Sequence, residues 1–286
     1  MGFLYLRISL CLKSTGLYRR DFDRSKDTFL STARVGGAKI TCMRFDVWAQ
    51  TDVGLKRDIN QDAILVDHDL NLFIVADGMG GHKGGEVASA LAVETVQEMI
   101  SKHRNDPKVS PRRLLADAYR EASSRIHHKS TFESPDLMGM GTTMVLFWEY
   151  KDRIYIGNVG DSRAYLFTST HLWQLTEDHS LINEQVRAGV ISEEEAPHVV
   201  GRNVITRSVG FERDVMVDVL EREPKANEIY LLCSDGLSGL VRPENLMDIF
   251  LRSSPEEVVG KCIKQANSAG GDDNISVIVI RPRIDG

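Results

Sequence analysis

Acidic residues stand at the ends of several apolar runs in this sequence, where a buried strand would meet a loop. They are Asp62, Asp77, Asp161, Asp235, Asp272 and Asp273. Each of them alone is explained by a turn, because Asp is common in turn pairs such as Asp-Gly. If the strand ends converge, however, several carboxylates share one place and repel one another unless a cation lies among them.

The residue types near these acids favour a hard divalent cation. No His or Cys cluster accompanies the acids, so zinc and copper fit poorly, whereas carboxylates, carbonyls and waters suit Mg²⁺ or Mn²⁺. One Mg²⁺ ion usually binds fewer protein carboxylates than this, so a pair of ions about 3.5–4 Å apart would use the acids better. A site of this kind most naturally hydrolyses a phosphate ester, because the ions activate a water that attacks phosphorus in line.

The segment "VADGMGGHKGGEVAS" (75–89) follows one of these acids with closely spaced glycines. Because Gly78 has no Cβ, its backbone can approach a metal and offer a carbonyl. Four further glycines keep that corner open: Gly80, Gly81, Gly84 and Gly85. No Gly-Lys-Ser/Thr follows and the GxGxxG spacing is absent, which excludes the two common phosphate-binding loops. The wide separation of the acids excludes an EF-hand.

A phosphate hydrolase also needs a cation that holds the phosphate oxygens, and arginine does so in bidentate fashion. Arg57, shortly before Asp62, has suitable spacing for this role. A solvated loop arginine would show the same spacing, so the sequence leaves both interpretations open.

Periodicity predicts the elements that must position these residues. Strands are expected at 43–54, 63–67, 70–76, 142–150, 153–159, 162–168, 172–176, 215–220, 228–234 and 274–282. Helices are expected at 86–103, from Pro111 to about 129 with Ser110 as N-cap, in short pieces within 180–200, and at 243–251 and 255–267. Strand meanders beside grouped helices predict an α+β fold with antiparallel sheets.

Composition limits the class of protein. The 286 residues suit one large soluble domain, or two, and the net charge of −6 argues against nucleic acid as a main partner. No window approaches the ~18 apolar residues of a membrane span. The four cysteines are scattered without paired spacing, which favours a reducing compartment, the cytoplasm, over disulfides or zinc.

The first 42 residues differ from the rest. Residues 1–44 carry nine Lys/Arg and three Asp/Glu, a net charge of +6, so the remainder carries −12. The apolar run "GFLYLRISLCL" is short and has no basic residues ahead of it, which argues against a secretory signal. We predict a basic extension over 1–42 that is not part of the fold, with a transit peptide as the alternative, and a catalytic domain over 43–286.

Eight ordered segments carry a family resemblance. They are "TDVGLKRDINQDA", "VADGMGGHKGGEVAS", "GTTMVLF", "IGNVGDSRAYL", "LTEDHSLINEQVRAGVISEEEA", "RNVITRSVG", "LLCSDGLSGLV" and "GGDDNISVIVI". From about Met43 to the last strand the chain resembles the metal-dependent protein phosphatases, phosphatase 2C, and their bacterial branch most closely. The resemblance implies a four-layer sandwich, two antiparallel sheets flanked by helix pairs, with a Mn²⁺ or Mg²⁺ pair at one end. It also implies phosphoserine and phosphothreonine protein substrates and a Ser/Thr kinase as the opposing enzyme.

The resemblance also assigns residues. It implies metal-binding acids at Asp62, Asp77, Asp235 and Asp273, a carbonyl ligand at Gly78, a third-metal acid at Asp161 and a phosphate-binding arginine at Arg57. Residues of about 177–210 resemble the flap beside the site, which would bear on substrate choice.

Two departures from the family pattern bear on activity. Gln61 stands where the family often has Glu, and it can accept a hydrogen bond but carries no charge, so changed metal affinity is expected. Met79 stands where animal members have His, which leaves His82 as a general acid or a loop histidine. Two alternatives stay open: an inactive regulatory or binding module of the same fold, and a metal-binding interaction domain without a catalytic arginine.

Overall fold

The computed structural model describes residues 43–192, 195–196, 199, 204–225 and 227–283, without the side chains of 81–83. The extension predicted for residues 1–42 lies outside these ranges. In chain order the strands are β1 (Arg44–Asp52), β2 (Asp62–Asp67), β3 (Leu72–Met79), β4 (Gly141–Thr142), β5 (Met144–Tyr150), β6 (Arg153–Val159), β7 (Arg163–Phe167), β8 (Leu172–Gln174), β9 (Asp218–Arg222), β10 (Ile229–Cys233) and β11 (Ile275–Arg283). The helices are α1 (Gly81–His103), α2 (Pro111–His128), α3 (Leu181–Arg187), α4 (Asp235–Ser238), α5 (Pro243–Leu251) and α6 (Pro255–Ser268).

These strands form two antiparallel sheets. The first has the order β1-β11-β10-β7-β8, and the second has the order β2-β3-β5-β6-β9 with β4 paired to β3. The apolar core between the sheets includes Phe73 and Phe147 from the second sheet and Tyr230 from the first. The rings of Phe147 and Tyr230 meet edge to face across the interface, with centroids 5.1 Å apart. The predicted α+β fold is therefore confirmed.

Helices cover the outer face of each sheet, which explains why the central strands are apolar on both faces. The helices α1 and α2 pack on the second sheet, and α5 and α6 pack on the first, so that the layers run α-β-β-α. None of the helices in the described ranges has the length and apolar character needed to cross a membrane.

The end signal predicted for α2 is confirmed, and α6 has a side-chain cap that was not predicted. The Ser110 side chain accepts a hydrogen bond from the Arg113 N–H, and Pro111 is the first residue of α2, as predicted. The helix α6 begins with a capping box between Ser254 and Glu257. Such caps satisfy N–H groups that have no partner within the helix.

Two boundaries beside the acids differ from prediction. The strand expected at 70–76 continues as β3 to Met79, because Gly78 and Met79 pair with β4. The helix expected from residue 86 begins at Gly81. The ladder thus continues past Asp77, which lies inside the strand rather than after it.

The strand expected at 215–220 is β9, at Asp218–Arg222, and its pairing with β6 sets those limits.

Candidate metal centre

The predicted acids meet at one end of the sandwich. Asp62 and Asp77 are opposite partners in the β2–β3 ladder of the second sheet. Asp235 begins α4 directly after β10, and Asp273 precedes β11, so both follow from the first sheet. Asp161 lies in the tight connection between β6 and β7. The two sheets therefore contribute acids to the same edge of their interface.

The carboxylate of Asp62 is tied to the opposite sheet by two hydroxyl groups. Ser234 Oγ donates to Asp62 Oδ2 over 2.9 Å, and Ser276 Oγ donates to the same oxygen over 2.6 Å. Ser234 directly precedes Asp235, and Ser276 lies in β11, three residues after Asp273. Sequence reasoning missed these serines, because an isolated Ser near an acid carries no specific signal.

Burial and mutual repulsion disfavour the charged forms of these acids. Burial, with the charges of neighbouring carboxylates, raises the pKa of Asp62 to about 7 against the two serine hydrogen bonds. Burial and nearby carboxylates likewise raise the pKa of Asp161 to about 7. Burial and the charges of Asp62 and Asp235 raise the pKa of Asp77 well above its usual range. Burial also raises the pKa of Asp235. A cation bound among these acids would stabilise their ionised forms and relieve their mutual repulsion.

The donor set fits such a cation. Within the described ranges, Oδ1 of Asp62, of Asp161 and of Asp235 is buried without a hydrogen-bond partner. Buried polar atoms normally have partners, so these oxygens need one from outside the chain. No three His, Cys, Asp or Glu side chains of the described residues are arranged to enclose one ion by themselves.

Backbone contact between β3 and α1 brings the glycines to this site. A Cβ on Gly78 would lie 2.0 Å from the Gly85 carbonyl oxygen and 2.6 Å from that of Gln61. A Cβ on Gly85 would lie 2.6 Å from the Gly78 oxygen. Gly85, which is predicted to keep this corner open, instead packs against Gly78, and the two glycines allow the first turns of α1 to pack directly on β3. Whether the Gly78 carbonyl binds a metal stays a prediction.

Gly78→Ala is expected to destabilise the protein by about 3 kcal/mol or more, because the new methyl group meets backbone that cannot move aside. Urea unfolding of the metal-free protein measures this. Gly260→Ala is the matched control: Gly260 lies in α6 with nothing within 4 Å of an added Cβ, so it should gain about 0.5–1 kcal/mol from helix propensity. Equal stabilities for Gly78→Ala and the parent protein would contradict the packing described here.

The Asp161 connection is linked to Asp77 through two hydroxyl side chains. Thr143 Oγ1 lies 2.7 Å from Ser162 Oγ. Thr143 Oγ1 also accepts from the Asp77 N–H over 3.1 Å, and the Thr143 N–H donates to the Asp77 carbonyl over 2.8 Å. The backbone positions of Asp77 and Asp161 are therefore mutually fixed. The paired threonines of "GTTM" (141–144) are the signal that sequence reasoning passed over.

Arg57 contacts one of these acids. Its Nη2 donates to Asp273 Oδ2 over 2.8 Å, and its side chain is half exposed. The loop that carries it is fixed by Asn274, whose Nδ2 donates to the Val53 and Ile59 carbonyls over 2.9 and 3.0 Å. Asn274 is another residue that sequence reasoning missed, although it follows a ligand candidate directly.

The proposed general acid cannot be placed. His82 belongs to the first turn of α1, but its side chain lies outside the part of the chain that the structure describes. Its role stays a prediction.

Comparisons with known proteins agree with this geometry. Residues 56–262 match the family model described as Protein phosphatase 2C. Serine/threonine phosphatase stp of Listeria welshimeri is 37% identical over 255 residues, which covers 81% of this chain and 93% of the relative. The Mycobacterium tuberculosis serine/threonine phosphatase PstP/Ppp superposes with a TM-score of 0.76 at 34% identity, covering 83% and 98%. The catalytic domain of PstP in complex with 2 manganese ions gives 0.75 at 33% identity, covering 85% and 100%.

Proposed function

Because the chain belongs to the protein phosphatase 2C family and is a metal-dependent protein serine/threonine phosphatase, we propose that its buried acid cluster holds the catalytic Mn²⁺ or Mg²⁺ ions. The proposed ligands are Asp62, Asp77, Asp235 and Asp273, the Gly78 carbonyl, and Asp161 for a third ion. The observation that carries this assignment is the set of buried carboxylate oxygens without partners. When bound, the ions neutralise phosphate charge and make a water nucleophilic near neutral pH.

The side chains around the acids hold them in place for that reaction. The hydroxyls of Ser234 and Ser276 occupy one oxygen of Asp62 and leave the other facing the cluster. This arrangement orients the carboxylate before any ion arrives, which reduces the reorganisation that binding requires. The rigid β2–β3 ladder does the same for Asp77 through its backbone.

We assign phosphate binding to Arg57. One N–H of its guanidinium donates to Asp273, and the planar group has further donors that match two phosphate oxygens at once. A phosphate ester beside Asp273 would therefore meet a preformed cation. Asn274 keeps the loop of this arginine against β11, so the guanidinium needs little ordering when substrate binds.

Arg57→Ala is expected to lower kcat/KM for a phosphothreonine peptide by about 10- to 100-fold, because hydrogen bonds to charged groups are worth about 1.5–3 kcal/mol. Hydrolysis of the peptide with Mn²⁺, and with EDTA as the blank, measures this. Arg57→Lys should fall between, since it keeps the charge and loses the paired donors.

Arg112→Ala is the matched control, because Arg112 is similarly exposed and also has one acidic partner, Glu221. It should leave turnover unchanged. An Arg57→Ala enzyme with normal kcat/KM would reject the phosphate-binding role while leaving the metal assignment standing.

We also propose an opposing enzyme, a cellular compartment and the extent of the catalytic domain. Phosphoserine and phosphothreonine esters form by phosphoryl transfer to side-chain hydroxyls, so we propose a Ser/Thr kinase as the enzyme that supplies the substrate proteins. A reducing compartment, the cytoplasm, agrees with the free buried thiols of Cys233 and Cys262. We also propose residues 43–286 as the catalytic domain, with about 177–210 bearing on substrate choice.

A further inference from the structure

The turn that carries Asp161 is held at both ends by two adjacent residues of a distant segment. Arg163 Nε and Nη2 donate to the Asp178 carboxylate, over 2.9 Å to Oδ1 and 2.6 Å to Oδ2. The backbone N–H of His179 donates to the Gly160 carbonyl over 3.0 Å. His179 Nδ1 lies 3.0 Å from the Gly160 nitrogen. Asp178 and His179 thus hold residues 160 and 163, and Asp161 lies between them.

The contact with Gly160 defines the protonation of the imidazole. A backbone N–H can only donate, so His179 Nδ1 must accept, and in a neutral ring the proton is then on Nε2. Nε2 lies 3.1 Å from Asp218 Oδ2 and donates to it. Arg207 Nη1 also lies 3.0 Å from Nε2, but a protonated Nε2 cannot accept from it, so Asp218 is the acceptor that orients the ring in the tautomer fixed by Gly160.

The same carboxylate is fixed from the other side. Arg207 Nη1 donates to Asp218 Oδ1 over 2.9 Å and to the Met216 carbonyl over 3.2 Å. Although partial burial opposes it, the hydrogen bonds from His179 and Arg207 lower the pKa of Asp218. The imidazole is buried, and its acceptor nitrogen has a fixed direction.

The Asp161 carboxylate depends on the backbone of its turn. Its Oδ1 is buried and has no partner among the described atoms. Gly160 has a φ of 101°, and a Cβ there would lie 2.6 Å from Thr143 Cβ. The direction of the Asp161 side chain therefore follows from the backbone of its turn.

We propose that His179 is a positioning residue of the phosphatase: by accepting the Gly160 N–H, it holds the Asp161 carboxylate toward the metal centre. This inference rests on the proposed role of Asp161 as a ligand of a third ion. His179 acts through the Gly160 N–H. Asp178 fixes the other end of the turn through Arg163.

The test separates the two ring nitrogens by substitution in the full chain. In His179→Asn, the amide oxygen takes the place of Nδ1 and keeps an acceptor for Gly160, but the link to Asp218 is lost. In His179→Gln, the amide reaches the position of Nε2 and keeps a donor for Asp218, but the acceptor for Gly160 is lost. Asp161→Asn reports what loss of the ligand itself does. Calorimetric titration with Mn²⁺ alone measures each ion bound.

We expect His179→Gln to weaken the last Mn²⁺ to bind by about 10-fold, because the Gly160 N–H then has no acceptor and the turn that carries Asp161 is no longer held. Asp161→Asn should lose the same binding step, and His179→Asn should retain it. Turnover of His179→Gln should recover at high Mn²⁺ concentration, which a loss of folded protein would not. Melting temperatures of all variants, measured with EDTA, establish that each is folded.

Two results would overturn the inference. One is a wild-type Mn²⁺ isotherm for His179→Gln when Asp161→Asn has lost the weak site. The other is an equal loss in His179→Asn and His179→Gln, since the acceptor would then not matter. A wild-type isotherm for Asp161→Asn would instead reject the proposed ligand role, and this inference with it.

Discussion

Asp77→Asn is expected to lower kcat by about 10³-fold, while the metal-free protein becomes more stable rather than less. The loss follows because a neutral amide gives up the charge that binds the ions, which supply several kcal/mol of transition-state stabilisation. The gain in stability follows because the ionised Asp77 carboxylate is disfavoured in the folded protein. Burial and the charges of Asp62 and Asp235 raise its pKa well above its usual range. An amide of the same shape carries no such cost.

Peptide hydrolysis with saturating Mn²⁺ and thermal unfolding with EDTA, on the same preparations, measure both effects. Asp272→Asn is the matched control: it is the same change at an acid that neighbours Asp273 but is about half exposed and paired with Lys56. It should alter neither quantity appreciably. An Asp77→Asn protein that loses activity and also melts lower than the parent would mean that Asp77 supports the fold and not the ions.

Metal removal is expected to destabilise the protein strongly above pH 7 and only weakly near pH 5. Asp62 and Asp161 both have a folded-state pKa raised from 3.8 to about 7. Between pH 3.8 and about 7, each of these carboxyl groups keeps a proton in the folded protein that it releases in the unfolded chain. The stability it contributes is therefore complete below pH 3.8 and is lost as the pH rises through about 7. For Asp62 alone the loss is on the order of 4 kcal/mol.

Ions reverse this dependence because they bind the ionised acids and compete with protons. The increase in melting temperature on adding Mn²⁺ should therefore be several-fold larger at pH 8 than at pH 5. Differential scanning fluorimetry at both pH values, with EDTA or Mn²⁺, tests it. Asp62→Asn should flatten the pH dependence of the metal-free protein. A metal-free melting temperature that rises steadily from pH 5 to pH 8 would contradict the raised pKa values.

Sequence patterns located most elements because their ends are local. Ser110 with Pro111, and the capping box at Ser254, lie within a few residues of the turn that they begin. The same reasoning failed at β3 and α1. There the ladder to β4 and the contact between Gly78 and Gly85 decide the boundary, and neither is visible in a window of the sequence.

The residues of the site likewise divide into those that the sequence indicates and those that only the folded chain reveals. The acids were recognisable because each stands at a change from apolar to polar residues. The groups that orient them were not, since Ser276 lies 214 residues from the Asp62 that it holds, and His179 lies 19 residues from Gly160. Their types are common in loops, and only the folded chain brings their hydrogen bonds together.

The acids are divided between the two layers of the sandwich: Asp62 and Asp77 belong to one sheet, while Asp235 and Asp273 adjoin the other. The proposed metal centre therefore lies where the two sheets meet, so the relative position of the sheets would set the spacing of its ligands. The edge-to-face contact between the rings of Phe147 and Tyr230 is part of the packing between the two sheets. We therefore expect that a methylene group lost from the core between the sheets changes metal affinity without altering a ligand.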